Sequence, residues 1–153
     1  MPARSTLAAL LVLLLAATSP ADDKEKKPEG DLGKVQGKWT ARYGPNDIPI
    51  TIEVKGEDVT AVITNDNGEM TLKGRLKIDD KAKPHKTVDW LDFKLPNGDD
   101  AQENLAIYEL NAKGDEWKVC NGGAGKPRPT EFKEGDNGDD PHLIVFKRPK
   151  DGQ

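Results

Sequence analysis

An all-β fold, an eight-stranded antiparallel up-and-down barrel entered through a short N-terminal helical turn, is predicted by three features of the chain. Eight segments carry the alternation of apolar and polar residues that marks half-buried strands. Most are separated by short turns rich in Gly, Asn and Asp, and no helical period runs beyond about two turns. Without βαβ spacing, a meander of hairpins closing on itself is the architecture that remains.

The opening stretch sets the frame. Leu32 and Val35 lie at helical spacing, Gly37 follows, and then Trp39, Ala41 and Tyr43 alternate with Lys38, Thr40 and Arg42. The turn is expected to plug one end of the barrel, with Trp39 seated on it as the first large core side chain. After the loop Gly44-Pro45-Asn46-Asp47, Ile48, Ile50, Ile52 and Val54 form the inward row of a second strand, and Pro49 is tolerable only at its start or on an edge. Lys55-Gly56-Glu57 turns the chain into a third strand with Val59, Ala61 and Ile63 inward. Asn67-Gly68 is the strongest turn signal. The fourth strand shows Met70, Leu72, Leu76 and Ile78 on one face, with Gly74 where a side chain should point in, a sign of a bend or a close approach.

The segment 87–95 has a parity fault. Val88 and Trp90 share one face and Phe93 and Leu95 the other, and one extra residue at Leu91-Asp92 restores all four to the core, so a β-bulge is expected there. Residues 103–111 and 116–121 form the next hairpin, and the final strand, 143–148, is apolar on both faces. Such a strand needs two covers. The barrel interior supplies one, and the connection 122–141, through Pro127, Pro129 and Phe132, is expected to supply the other.

Composition narrows the function classes. Residues 1–21 read as a signal peptide, with Arg4 as the positive region, an apolar run over 7–17 and Ser19-Pro20-Ala21 as the cleavage site. The run is too short to span a bilayer, which excludes membrane insertion. Residues 22–30 form a disordered charged tether, 31–149 a single domain and 150–153 a tail, exported to the periplasm or medium after cleavage near Ala21. The chain holds 23 basic and 27 acidic residues, interspersed, for a formal charge of −4. A nucleic-acid partner is therefore not expected, because phosphate binding needs a concentrated basic face. The single cysteine, Cys120, cannot close an intramolecular disulfide. Both serines, Ser5 and Ser19, fall in the leader, so serine-nucleophile chemistry is excluded from the mature chain.

The segment Val35-Gln36-Gly37-Lys38-Trp39 resembles the opening motif of lipocalin-like proteins. More narrowly, Ile107-Tyr108-Glu109-Leu110-Asn111 with Trp117-Lys118-Val119-Cys120, Arg128-Pro129-Thr130-Glu131-Phe132 and the closing Leu143-Ile144-Val145-Phe146-Lys147-Arg148 resemble an uncharacterised family of small exported proteins of planctomycete bacteria. Asn111 and Trp117 stand where that family would have Asp and Leu. The resemblance implies a lipocalin-like barrel and a bacterial source, and it brings no activity. In lipocalin-like barrels the tryptophan of the opening motif lies beneath a basic side chain near the last strand, which makes Gly37, Trp39 and Arg148 the expected structural residues.

Chemistry beyond binding has little to stand on. Cys120 and His142 are the one candidate nucleophile and base, against the plainer reading of a packed thiol and a loop-edge polar group. No catalytic residue, metal ligand set or cofactor is expected: His85 lacks partners at zinc spacing, and the acidic turns fit no calcium-loop frame. The expected function is an exported, non-enzymatic binding protein holding a small apolar molecule, with Trp39, Ile50, Ile52, Leu72, Leu76, Trp90, Ile107 and Trp117 as candidates for the barrel interior. The alternative is a structural or protein-interaction domain with a filled core. An open apolar cavity of about 300 Å³ or more favours the first reading.

Overall fold

The alternating segments form one continuous sheet in the computed structural model, which describes residues 26–136 and 140–150. The expected leader, residues 22–25 of the tether, residues 137–139 and residues 151–153 lie outside the described residues. A helical turn, α1 (Gly30–Lys34), leads into β1 (Gly37–Tyr43), β2 (Ile48–Lys55), β3 (Asp58–Asn65), β4 (Gly68–Asp79), β5 (Lys86–Leu91), β6 (Asn104–Leu110), β7 (Glu116–Ala124) and β8 (His142–Lys147). Each strand pairs antiparallel with the next, and β8 returns to β1 at Thr40 opposite Lys147, closing an eight-stranded lipocalin-like barrel.

The core follows from the inward rows. Trp39 and Trp117 are fully buried with ring centroids 5.7 Å apart, and Trp117 also packs on Tyr108, Trp90 and Phe146. Such rings bury large apolar areas and favour tilted and edge contacts. Together with Val35, Val54, Leu76, Val88 and Val119 they fill the half of the barrel nearest α1.

Six places along the chain tie α1 and the turn behind it into that end. The Gln36 amide donates to the Gly56 carbonyl and accepts from the Gly56 N–H, clamping the β2–β3 turn. Trp39 Nε1 donates to the Val35 carbonyl at 2.7 Å. The Asp31 N–H donates to Asp80 after β4, and its carboxylate accepts from Lys86 on β5 and from Tyr108 on β6. Arg148, just past β8, lies over Trp39 and donates to the carbonyls of Lys34, Gln36 and Lys38. Gly37, at φ +90°, takes a conformation that a side chain would strain, and a Cβ there would stand 3.3 Å from the Arg148 guanidinium.

The parity fault in 87–95 is resolved by one extra residue. Leu91 pairs with Arg75, yet Lys94 donates to the carbonyl of Lys73, so two residues, Asp92 and Phe93, stand opposite Gly74. Asp92 takes the strain at φ +55° and bonds Arg75 on the outside. Trp90 and Phe93 thereby both pack on the core. Leu95 does not join them. It is 41 % exposed, because the chain turns away at a short bridge between Lys94 and Asp100. Gly74 is the site of close approach: a Cβ there would clash with the Phe93 ring and lie 2.7 Å from the Leu91 carbonyl oxygen.

β6 corrects a second expectation. Ile107 is buried, yet it belongs to the outer face, paired with Cys120, while Ala106, Tyr108 and Leu110 face the core. Alternation cannot choose between two apolar rows, and here the choice is made by the cover on the outside. The connection after β7 lies across that face. Arg128 donates to Asp89 and to the Ala106 carbonyl, Phe132 packs on His85, and Gly122 leaves room for the Pro127 carbonyl.

Candidate functional site: an apolar cup at the open end

With one end plugged and packed, the other end of the barrel stays open as a cup of about 270 Å³. Its wall is built by inward positions near the outer ends of the inward rows: Ile50 and Ile52 on β2, Ala61 on β3, Leu72 on β4, Trp90 on β5 and, past the bulge, Phe93. Each is in place because the two-residue period of its strand directs it inward. Asn121, Gln102 and Asn104 supply the polar atoms, and no charged side chain of the described residues contributes to the wall. The volume is about a tenth smaller than the size set above for a clear ligand cavity.

The eight sequence candidates divide into three groups. Ile50, Ile52, Leu72 and Trp90 line the cup. Trp39, Leu76 and Trp117 are fully buried in the packed half and fill the interior instead of lining the opening. Ile107 lies on the outer face. The sequence reading missed Phe93 as a lining residue and Asn121 altogether. Parity along β7 offered the signal for Asn121, since counting inward from Trp117 through Val119 places it inside.

Asn121 is held by Trp90, whose Nε1 donates to Asn121 Oδ1 at 2.7 Å. At the rim His142 pairs with Asn121 in the sheet and stacks edge-on to Tyr43 at 4.9 Å. Its Nε2 is 3.2 Å from Asp140, and its Nδ1 is 3.6 Å from Glu134, whose other oxygen accepts from the Leu143 N–H. Burial, with Asp140 and Glu134 nearby, raises the Tyr43 phenol above its ordinary range.

Cys120 and His142 do not meet. Cys120 points to the outer face, where its thiol donates to the Glu131 and Lys133 carbonyls, whereas His142 belongs to the inward row. Burial pushes the thiol upward, away from the thiolate. Among the described residues no three His, Cys, Asp or Glu side chains gather into a metal-sized cluster. No helix of the described residues is long and apolar enough to cross a membrane.

The closed end carries the strongest electrostatics. Asp31 is 2 % exposed. Burial alone would raise its carboxyl, but donors from Lys86, Lys34 and Tyr108 outweigh it and hold the group below the ordinary carboxylate range. The Tyr108 phenol is raised in turn, by burial and then by Asp31. A wider hollow of about 970 Å³ lies outside, between residues 26–28 and the β2–β3 turn. Its lining is charged and of both signs, with Lys26, Lys27, Lys55 and Arg75 facing Glu57 and Asp58, and Lys55 and Arg75 are already paired with Glu53 and Asp92, so it lacks the apolar wall of the cup.

No family model, curated protein or solved structure matches the chain.

Proposed function

We propose that the protein is an exported binding module that takes a small apolar molecule into the open end of the barrel. The observation that carries this reading is the division of the interior: one half is packed around Trp39 and Trp117, and the other is left as an apolar cup with an uncharged wall. A stable fold does not require that vacancy, and enclosed apolar surface with a few placed polar atoms is the usual make-up of a small-molecule site. The interior candidates that fall in the cup, Ile50, Ile52, Leu72 and Trp90, are the proposed contacts.

Export and a bacterial source rest on the leader and on the resemblance of the motifs, and the mass of the mature protein tests cleavage near Ala21. The packed half favours the second reading, a protein-interaction domain. One experiment separates the two. The neutral probe N-phenyl-1-naphthylamine should bind and brighten, and Ile63→Trp, which puts bulk into the cup, should abolish that signal while the far-ultraviolet spectrum stays unchanged. Absence of binding, or binding that survives the filled cup, overturns the ligand reading.

A further inference from the structure

We propose that the ligand is uncharged and carries one oxygen acceptor, a ketone or ester carbonyl, which the side-chain amide of Asn121 holds inside the cup. This rests on the reading of the cup as a ligand site and specifies the chemistry of its occupant.

The orientation of Asn121 is fixed by its neighbour. An indole nitrogen can only donate, so the atom that receives the Trp90 N–H must be the amide oxygen. The amide nitrogen is then turned away from Trp90, and it has no acceptor among the described residues. Asn121 is only 8 % exposed, and it lies on the cup wall. The amide nitrogen is not among the buried atoms left without a partner, so it faces accessible space, and on this wall that space is the cup, where a ligand acceptor can reach it.

Charge and size limit what that partner is. Among the described residues no Lys, Arg, Asp or Glu lines the cup, so an ion taken inside would be stripped of water without a counter-charge. An apolar cavity of about 150 Å³ holds benzene. At about 270 Å³ the cup suits a molecule of about twice that bulk, such as two fused rings with a short substituent. Trp90 offers a ring face beside the amide, and Ile52 and Leu72 offer aliphatic walls.

An isosteric pair of probes tests the donor. 2-Acetylnaphthalene and 2-isopropenylnaphthalene share a shape and differ in a carbonyl oxygen against a methylene. Titration calorimetry on the full mature chain should show the ketone binding about three- to tenfold more tightly, the gain of one hydrogen bond. In Asn121→Asp the carboxylate still accepts from Trp90 but no longer donates, so the ratio of ketone to alkene affinity should fall to one or below, while both probes bind more weakly because the charge holds water at the wall. Equal binding of both probes by the wild-type chain, or a ketone preference that persists in Asn121→Asp, overturns the donor role and leaves the cup standing. Failure of both probes to bind overturns the cup itself. Should Asn121→Asp not fold, the side-chain amide resonance of Asn121 in the wild-type protein decides: it should shift with the ketone and not with the alkene, and identical spectra overturn the assignment.

Discussion

The guanidinium carbon of Arg148 stands 3.8 Å from the centre of the Trp39 ring, joining the last strand to the first across the closed end. The same group donates to the Gln36 and Lys34 carbonyls at 2.7 Å each and to the Lys38 carbonyl at 3.1 Å. One planar fork thus covers an aromatic face and satisfies carbonyls that α1 and the start of β1 leave open. A double-mutant cycle with Trp39→Phe and Arg148→Met is expected to give a coupling of about 0.5–2 kcal/mol in chemical denaturation. Arg148→Lys should recover little of it, because a single ammonium cannot stack and reach three carbonyls together. Additive losses would mean that the contact contributes nothing.

Trp39 and Trp117 are equally buried, yet only one has its N–H answered. Trp39 Nε1 donates to Val35, while Trp117 Nε1 is buried with no partner among the described residues. Replacing either ring by Phe leaves a similar gap. The Trp39 change also strands a buried carbonyl, whereas the Trp117 change removes an unsatisfied donor. Trp39→Phe should therefore cost about 1 kcal/mol or more beyond Trp117→Phe. Equal losses in urea denaturation would show that the Val35 bond is not worth its geometry.

The bulge at Asp92 depends on the bare backbone at Gly74. The extra residue drives the Phe93 ring across the barrel wall to the place where a Gly74 Cβ would be, and the Leu91 carbonyl blocks the other side. Gly74→Ala is expected to cost about 1–3 kcal/mol through overpacking. Because Phe93 helps form the cup, the same change should weaken naphthyl probe binding. A neutral Gly74→Ala would show that the ring can step aside freely.

How much of this was legible in the sequence depended on how one-sided each strand is. β1, β2 and β4 carry one apolar row and one polar row, so their inward residues could be read directly, as could the parity fault that the Asp92 bulge absorbs. β6 is apolar on both faces, and nothing in Leu105 to Leu110 tells which row faces the core. That answer lies in a connection almost twenty residues further on, which covers Ile107 and Cys120 from outside. Leu95 failed for a different reason: its side chain matched the pattern, but Lys94 and Asp100 turn the backbone away. Asp31, between Gly30 and Leu32, and Asn121, between Cys120 and Gly122, are lone polar residues, and strand parity, which does place Asn121 inside, names no partner for either. Their burial comes from partners distant in sequence, Tyr108 and Lys86 for Asp31 and Trp90 for Asn121.

Asp31 gives the fold a pH dependence whose sign can be stated. Its carboxylate accepts from Tyr108 at 2.9 Å, from Lys86 at 2.6 Å and from Lys34 at 2.9 Å, and these donors hold its pKa below the ordinary value despite burial. A carboxyl depressed in the folded state stabilises the fold in full above the unfolded value of about 4, and that stability fades as the pH falls through the lower folded value. Lys34 and Lys86 are partly solvated, so their screened attraction is modest, and the larger share comes from charged hydrogen bonds to a buried acceptor. Asp31→Asn should cost about 2–3 kcal/mol at pH 7. The deficit should shrink steadily below about pH 4, as the unfolded carboxyl takes up a proton, and should disappear once the pH passes the lower folded value. Tyr108→Phe should reproduce part of the loss at neutral pH with the same trend. Denaturation at pH 7, 5 and 3 checks both, and a deficit for Asp31→Asn that is independent of pH would mean that packing, and not the carboxylate, holds the plug in the barrel.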